Sequence, residues 1–177
     1  MNHRTKSAPE LKLLEWDESG LALLRALNTP RQKLHLGGPE SEAKLIDRQT
    51  RYLTSHLPGD TEMLRIGADG EIVGSIGYWE IERNGEPAYE TGWEILAEHH
   101  GRGIGSAAAG ALMHRLQAVA RHRYVFAFPT PENPGSNGIC RKLGFELIST
   151  EDAEYPKGVF SPHNIWRLDL SAFPRPA

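Results

Sequence analysis

Two dipeptides in the middle of the chain, Asp69-Gly70 and Asn84-Gly85, separate three stretches with the residue pattern of β-strands. The stretches cover residues 63–66, 71–81 and 89–96. Asp-Gly and Asn-Gly readily adopt the positive φ angles that the two-residue turn of a β-hairpin requires. We therefore predict that residues 62–96 form an antiparallel meander of three strands.

After residue 100 the pattern changes from strand to helix. Residues 106–120 are rich in alanine and leucine, which favour helix. Their apolar stripe consists of Ala108, Leu112, Leu116 and Val119. A short apolar segment at residues 124–128 follows and is predicted to be a buried strand. A strand, a helix and a strand with such short joints predict a right-handed crossover between parallel strands.

The N-terminal part of the chain adds one strand and two helices. The strand is predicted at residues 11–16. Leu21, Leu24 and Leu27 recur at helical spacing. Ser41 has the chemistry of an N-cap and is predicted to begin the second helix.

The C-terminal part is predicted to contain a short helix and two strands. The helix covers residues 136–143 and ends at Gly144. The strands cover residues 147–150 and 165–170. No proline- or glycine-rich linker divides the chain, so we expect a single domain over residues 1–177, with loose ends at residues 1–9 and 172–177.

Charge and composition narrow the class of protein. The formal net charge of -3 disfavours a nucleic-acid surface, and no apolar run has the length of about 20 residues that crosses a bilayer. Cys140 is the single cysteine, so an internal disulfide or a cysteine metal cluster cannot form. We expect a cytoplasmic protein without a metal site, a nucleic-acid partner or a membrane partner, and it is either a monomer or a homodimer.

A glycine-rich turn joins the third meander strand to the long helix. Three glycines, Gly101, Gly103 and Gly105, lie between Glu98 and Ser106. The first N–H groups of a helix have no acceptor inside the helix, and they point outward with the positive end of its dipole. Such a turn suits a phosphate group, and Arg102 adds a positive charge there.

Two familiar phosphate-binding motifs do not account for this turn. A P-loop requires Gly-Lys-Ser/Thr, which does not occur in the chain. The dinucleotide fingerprint lies in an early βαβ unit, whereas these glycines follow a hairpin meander. A glycine-rich turn is also often only a tight connection between two elements.

The order of three motifs resembles the GNAT acetyltransferase family. Residues 100–105, His-Gly-Arg-Gly-Ile-Gly, are similar to the family's Arg/Gln-x-x-Gly-x-Gly/Ala signature, with histidine at the first position. Residues 90–96 resemble the preceding strand. Asn133-Pro-Gly-Ser136 and residues 140–145 resemble the downstream segment. The resemblance covers residues 64–170, is strongest over 89–145, and is closest to ribosomal-protein N-terminal acetyltransferases.

The resemblance implies an α+β fold with three layers. In this fold a mixed, mostly antiparallel sheet of about seven strands is flanked by about four helices. The fourth and fifth strands of the family are parallel and splay apart. The opening between them admits the pantetheine arm of acetyl-CoA.

The resemblance also implies acetyl-CoA as co-substrate and an amine as acceptor, either a small molecule or a protein N-terminus. The pyrophosphate would lie on the glycine-rich turn, the arm along the splayed strand, and the pantetheine amides near Asn133. The predicted acetyl-CoA residues are Ile95, Leu96, His100, Gly101, Arg102, Gly103, Ile104, Gly105, Ser106, Asn133 and Ser136.

Catalysis in the family is direct attack of a neutral amine on the thioester, which needs a general base. Glu90 is the predicted base, and Glu94 shares its face of the strand and is the alternative. Cys140 stands where the family usually has a tyrosine that protonates the departing thiolate. Cys140, Ser136 and water therefore remain open as the proton donor. His35 and Trp93 are the predicted acceptor-binding residues.

Two further functions remain open on the sequence. The first is an acyl-CoA-binding module without turnover, which Cys140 at the tyrosine position favours. The second is a nucleotide-binding protein of another fold, which the hairpin meander disfavours.

Overall fold

The computed structural model describes residues 9–57 and 61–176. The helices are α1 (Gly20–Leu27), α2 (Glu42–Thr54), α3 (Ile104–Val119) and α4 (Pro134–Leu143). The strands are β1 (Leu11–Glu15), β2 (His56–Leu57), β3 (Thr61–Ala68), β4 (Glu71–Arg83), β5 (Glu86–Ile95), β6 (Tyr124–Ala127), β7 (Glu146–Glu154) and β8 (Phe160–Asp169).

The strands form one mixed sheet in the order β1-β3-β4-β5-β6-β8-β7, and β2 pairs with β3. The predicted meander is confirmed as β3, β4 and β5. Both of its turns have positive φ at both central residues, 54° and 87° at Asp69-Gly70 and 55° and 79° at Asn84-Gly85. These angles are typical of type I′ turns, whose twist matches that of the strands they join.

The parallel pair predicted from the crossover is β5 with β6, and it splays apart. Only Tyr89 and Glu90 of β5 are paired with β6, opposite Val125 and Phe126. The rest of β5, up to Ile95, is paired with β4 alone. One edge of β5 is therefore open between Glu90 and the end of the strand.

Helices cover both faces of the sheet, which confirms the predicted three-layer fold. α3 and α4 pack on one face, where Leu112 and Leu116 of α3 lie against Tyr78 and Tyr89 of the sheet. α1 and α2 pack on the other face against Met63 of β3. Ser41 caps α2 as predicted, because its side chain accepts a hydrogen bond from the Lys44 amide.

The C-terminal hairpin is longer than the sequence predicts. β7 and β8 extend well beyond residues 147–150 and 165–170. β7 is the edge strand and most of its residues are exposed, so its sequence lacks the alternation that marks a half-buried strand. α4 begins two residues earlier than predicted, because Asn133 Oδ1 accepts a hydrogen bond from the Ser136 amide at 3.0 Å and caps the helix.

Part of the C-terminal end differs from the prediction of a loose terminus. Residues 1–8 lie outside the described residues. At the other end, Phe173 packs against the core beside α3, and its carbonyl oxygen accepts a hydrogen bond from Gln117 Nε2 at 2.7 Å. This part of the tail is therefore attached to α3. None of the helices in the described ranges is long and apolar enough to cross a membrane.

Candidate active site

The glycine-rich turn owes its shape to two residues with left-handed backbone. Gly101 has φ of 74° and Gly103, the N-cap of α3, has φ of 77°. A Cβ atom at either position would meet nothing within 4 Å. Glycine is therefore needed here for its backbone conformation and not for space.

The backbone of this turn presents a row of amide groups. Within the described ranges, none of the N–H groups of residues 101–106 donates a hydrogen bond to another protein group. The first bond of the helix runs from the Ala107 amide to the Gly103 carbonyl, at 3.0 Å. Ile104 is buried in the core and anchors the turn. Free amides at the positive end of a helix dipole suit an anion such as phosphate.

Gly105 has a different role from the other two glycines. A Cβ atom there would lie 2.7 Å from Ile139 Cδ1 of α4. Its lack of a side chain allows α3 and α4 to approach each other. The third glycine of the motif therefore serves helix packing and does not shape the turn.

Arg102 is held beside the turn by two contacts. Its guanidinium is 3.1 Å from Asp69 Oδ2 and 2.8 Å from His99 Nδ1. The Arg102 and Asp69 side chains are about half exposed, and exposed ion pairs stabilise a fold only weakly. Arg102 can therefore exchange Asp69 for a phosphate at little cost.

The open edge of β5 presents Ile95 and not Leu96. The Leu96 amide donates to the Val73 carbonyl at 2.8 Å and so faces away from the edge, which corrects the prediction for Leu96. Since backbone groups alternate along a strand, Ile95 faces the opening. Its carbonyl oxygen accepts hydrogen bonds from His100 Nε2 at 2.7 Å and from Gln32 Nε2 at 2.8 Å.

Glu90 lies at the other end of this edge, where β5 and β6 meet. It is directly opposite Trp79 of β4. Burial raises the pKa of Glu90 to about 6, against the weaker opposing effect of the neighbouring Trp79 side chain. A carboxylate with this pKa is mostly ionised at neutral pH and is a stronger base than an exposed glutamate.

The sequence of this chain matches a known protein family over most of its length. Residues 11–146 match the family model described as "Acetyltransferase (GNAT) domain". The chain belongs to the GNAT acetyltransferase family. A ribosomal-protein-serine acetyltransferase of Escherichia coli (strain K12) is 29% identical over 112 residues, which are 63% of this chain and 62% of the length of that relative.

Solved structures share the GNAT fold over almost the whole chain. RimL, a ribosomal alpha-N-protein acetyltransferase in complex with coenzyme A, superposes with a TM-score of 0.76 at 23% identity, over 92% of this chain and 95% of its own. RimJ of Mycobacterium smegmatis, in complex with a CoA disulfide, has a TM-score of 0.75 at 16% identity, over 93% and 83%. At these identities the likeness is one of fold.

The second predicted carboxylate of this GNAT protein, Glu94, is paired with a lysine. Lys33, from the loop between α1 and α2, forms an ion pair with Glu94, and its side chain is only 7% exposed. The Trp79 ring lies over Gly92, between Glu94 and Glu90. The backbone positions of Glu90 and Glu94 are also about 13 Å apart along the strand. The raised pKa of Glu90 therefore arises from burial and not from Glu94.

Replacing Lys33 by methionine is expected to lower the free energy of unfolding by about 2 kcal/mol. The change leaves Glu94, only 22% exposed, without its counter-charge, although this exposure moderates the cost known for fully buried pairs. Urea unfolding at pH 7 measures the effect. Lys33→Met combined with Glu94→Leu should recover part of the loss, and a single variant as stable as wild type would contradict the prediction.

Asn137 connects the start of α4 to the rest of the GNAT site. Its Oδ1 accepts hydrogen bonds from Asn164 Nδ2 and Trp166 Nε1 of β8, each at 2.8 Å. Its Nδ2 donates to the carbonyl oxygens of Thr130 at 2.9 Å and Asn133 at 2.7 Å. Asn137 is buried, and its four bonds fix both the loop that ends at Asn133 and the first turn of α4, which carries Ser136.

Replacing Asn137 by alanine is expected to cost about 3 kcal/mol of unfolding free energy. The change leaves two buried donors on β8 without an acceptor, and each such loss costs about 1 kcal/mol or more. The carbonyls of Thr130 and Asn133 each lose one bond but keep the backbone amides of Asn133 and Asn137 as donors. Thermal unfolding followed by circular dichroism measures it. Asn28→Ala, which removes two hydrogen bonds at a half-buried site, is the control and should cost less.

Cys140 is enclosed in the core. It is completely buried on the inner face of α4, among the residues of the main core cluster. Burial raises the pKa of its thiol to about 12, so the thiol holds its proton tightly. The structure therefore does not bring Cys140 to the open edge, whereas Ser136 lies half-buried in the first turn of the same helix.

The two predicted acceptor-binding residues have different positions. His35 is half-buried in the α1–α2 loop, two residues after Lys33. Trp93 lies on the opposite face of β5 from Glu90 and packs against the core beneath α3. The structure thus places His35 on the Glu90 side of the sheet, with α1 and α2, and Trp93 on the other.

Sequence reasoning missed several residues of the site. Gln32 and Lys33 gave no signal, because their roles depend on a loop that folds onto β5 from about 60 residues away. Asn137 was missed for the same reason, as its partners lie on β8. Strand register could have identified Trp79, since the Asn84-Gly85 turn places it opposite Glu90.

Proposed function

We propose that this GNAT protein is an N-acetyltransferase that moves the acetyl group of acetyl-CoA to a primary amine, with Glu90 as general base. One observation carries the proposal. A single open strand edge joins the free amides of residues 101–106 at one end to Glu90, with its raised pKa, at the other.

The residues present fit acetyl-CoA. Six backbone amides and Arg102 suit its phosphates, and the unpaired edge of β5 suits its pantetheine arm. Asn133 and Ser136 lie at the N-terminus of α4, the helix that packs beside α3. When bound, acetyl-CoA supplies the acyl group as a thioester.

Glu90 removes a proton from the ammonium form of the acceptor, so that the nitrogen lone pair is available for attack. Trp79 lies directly opposite Glu90 on β4 and lowers its pKa slightly, against the larger effect of burial. Its position where β5 and β6 converge places the base at the inner end of the opening.

The proton for the departing thiolate comes from Ser136 or from water. Ser136 is half-buried at the start of α4, whereas the Cys140 thiol is enclosed and has a pKa of about 12. An acid that gives up its proton so reluctantly is a poor donor to a thiolate.

The acceptor is a singly charged amine, either a protein N-terminus or a small molecule. Since Lys33 neutralises Glu94, Glu90 is the carboxylate that remains along the open edge of β5, between residues 90 and 95, to attract a cation. The names of the related ribosomal-protein acetyltransferases support a protein N-terminus. We further propose a cytoplasmic location, a single domain, and a monomer or homodimer.

Calorimetric titration of the wild-type protein with acetyl-CoA tests the proposal, followed by thiol release with a panel of peptides and small amines. Saturable binding with amine-dependent thiol release is expected. Binding without release for every amine would instead indicate an acyl-CoA-binding module without turnover. A folded protein that does not bind acetyl-CoA would refute the proposal.

A further inference from the structure

Gln32 reaches the open edge of β5 from the loop between α1 and α2. Its Nε2 donates to the Ile95 carbonyl oxygen at 2.8 Å. The orientation of the side-chain amide is fixed by chemistry, because a carbonyl can only accept and the group facing it must be the NH₂.

The other end of this amide has no partner. Gln32 Oε1 is buried and accepts no hydrogen bond from any residue that the structure describes. A buried acceptor without a donor costs free energy, and such groups in native proteins usually mark a binding partner or a functional site.

The Ile95 carbonyl itself is already saturated. It has two lone pairs, and it accepts from both Gln32 Nε2 and His100 Nε2. A ligand that lies along this edge cannot use the Ile95 carbonyl as an acceptor without displacing one of them. The buried Oε1 of Gln32, on the amide that binds this carbonyl, is the acceptor beside it that has no donor.

The position of Gln32 along the edge identifies the chemistry that it meets. On the proposed function, the phosphates of acetyl-CoA bind at residues 101–106, just beyond the end of β5, and the acetyl group lies near Glu90. Ile95 lies between them, about 16 Å along the strand from Glu90. The part of CoA in this interval is the pantetheine arm, whose hydrogen-bond donors are its two amide N–H groups and the pantoyl hydroxyl.

We propose that Gln32 is a CoA-binding residue whose Oε1 accepts a hydrogen bond from an amide N–H of the pantetheine arm. The inference rests on the proposed function and assigns to the α1–α2 loop a contact with the co-substrate as well as with the acceptor side of the site.

The loop does not depend on Gln32 for its fold. Asn28 and Glu40 join its two ends by reciprocal hydrogen bonds of 2.8 Å. Lys33 attaches its middle to Glu94. Gln32→Met, which keeps the length and volume of the side chain but removes both polar atoms, should therefore leave the loop in place.

The test compares two ligands on two variants by calorimetry. CoA carries the arm, and adenosine 3′,5′-bisphosphate carries phosphates without it. Gln32→Met should bind CoA roughly 3- to 10-fold more weakly than wild type, the range for one lost hydrogen bond, and should bind the bisphosphate as well as wild type does. Gln117→Met removes a side-chain amide of α3 that binds the backbone carbonyls of Leu170 and Phe173, remote from the site, and this variant should bind both ligands normally.

Several outcomes overturn the inference. If Gln32→Met weakens both ligands equally, Gln32 only shapes the site; if it weakens neither, Gln32 makes no contact. In both of these cases, binding of CoA by the wild-type protein leaves the proposed N-acetyltransferase function standing. If the wild-type protein binds neither ligand, both the proposed function and the proposed Gln32 contact are refuted.

A measurement on wild type keeps the test independent of how the variant folds. The side-chain amide resonance of Gln32 in a ¹⁵N-labelled sample should shift when CoA is added and should stay in place with the bisphosphate. Equal shifts with both ligands, or none with CoA, would contradict a contact with the arm.

Discussion

Replacing Gly103 by glutamate is expected to weaken CoA binding at least about 100-fold, or about 2.7 kcal/mol. The new carboxylate would stand at the N-cap of α3, beside the free amides, where it would take the place of a phosphate and repel the others. Calorimetric titration of the variant with CoA measures the loss.

Gly85→Glu is a matched control for this variant. Gly85 has φ of 79°, against 77° for Gly103, and a Cβ atom meets nothing within 4 Å at either position. Both variants therefore carry the same backbone strain, of about 1–2 kcal/mol. Gly85 lies in the β4–β5 turn, so its variant should bind CoA as wild type does. Equal loss in both variants would attribute the effect to strain and not to the anion site.

Replacing Glu90 by glutamine is expected to lower kcat/KM for the amine by about 100- to 10,000-fold, the usual contribution of a general base. CoA affinity should not change, because Glu90 lies at the far end of the open edge from the phosphate turn. Thiol release under saturating acetyl-CoA measures the rate. Glu86→Gln, on the same strand at an exposed position, is the control and should keep wild-type activity.

The pH profile distinguishes loss of a base from a general disturbance. The base must be ionised, so wild-type kcat/KM should rise as pH increases through about 6, the raised pKa of Glu90. This rise in kcat/KM near pH 6 should disappear in Glu90→Gln and persist in Glu86→Gln. A limb near pH 6 that survives in Glu90→Gln would assign the base to another group.

As pH rises towards about 6, the free energy of unfolding should fall while the activity rises. The pKa of Glu90 rises from 4.5 to about 6 on folding, so between these values the folded state binds more protons than the unfolded state. Its burial therefore destabilises the fold progressively from pH 4.5 to 6 and fully above that. Glutamine removes this cost, so we expect Glu90→Gln to be more stable than wild type at pH 8 by roughly 1 kcal/mol in urea unfolding.

Local chemistry explains why the meander and the crossover were predictable. Asp69-Gly70 and Asn84-Gly85 specify the turn conformation within two residues, and strand alternation then places Glu90 and Trp93 on opposite faces. Gly101 and Gly103 specify a left-handed turn before α3 in the same way. Each of these signals depends on neighbours within one turn or one strand.

The edge strand and the helix start show where such signals fail. β7 is solvated on most of its length, so no burial pattern marks its true ends. α4 begins at Pro134 because Asn133 caps it, and the sequence-based boundary at residue 136 ignored this cap.

The sequence alone determined the family, the meander, the anion-binding turn and Glu90 as the leading candidate base, because each is written in residues that are close together along the chain. Only the tertiary structure decided that Lys33 neutralises Glu94, that Gln32 and His100 saturate the Ile95 carbonyl, and that Cys140 is enclosed in the core. These contacts join residues far apart in the chain, or depend on which face of a helix is buried. Their energies arise from burial and packing, which no local pattern encodes.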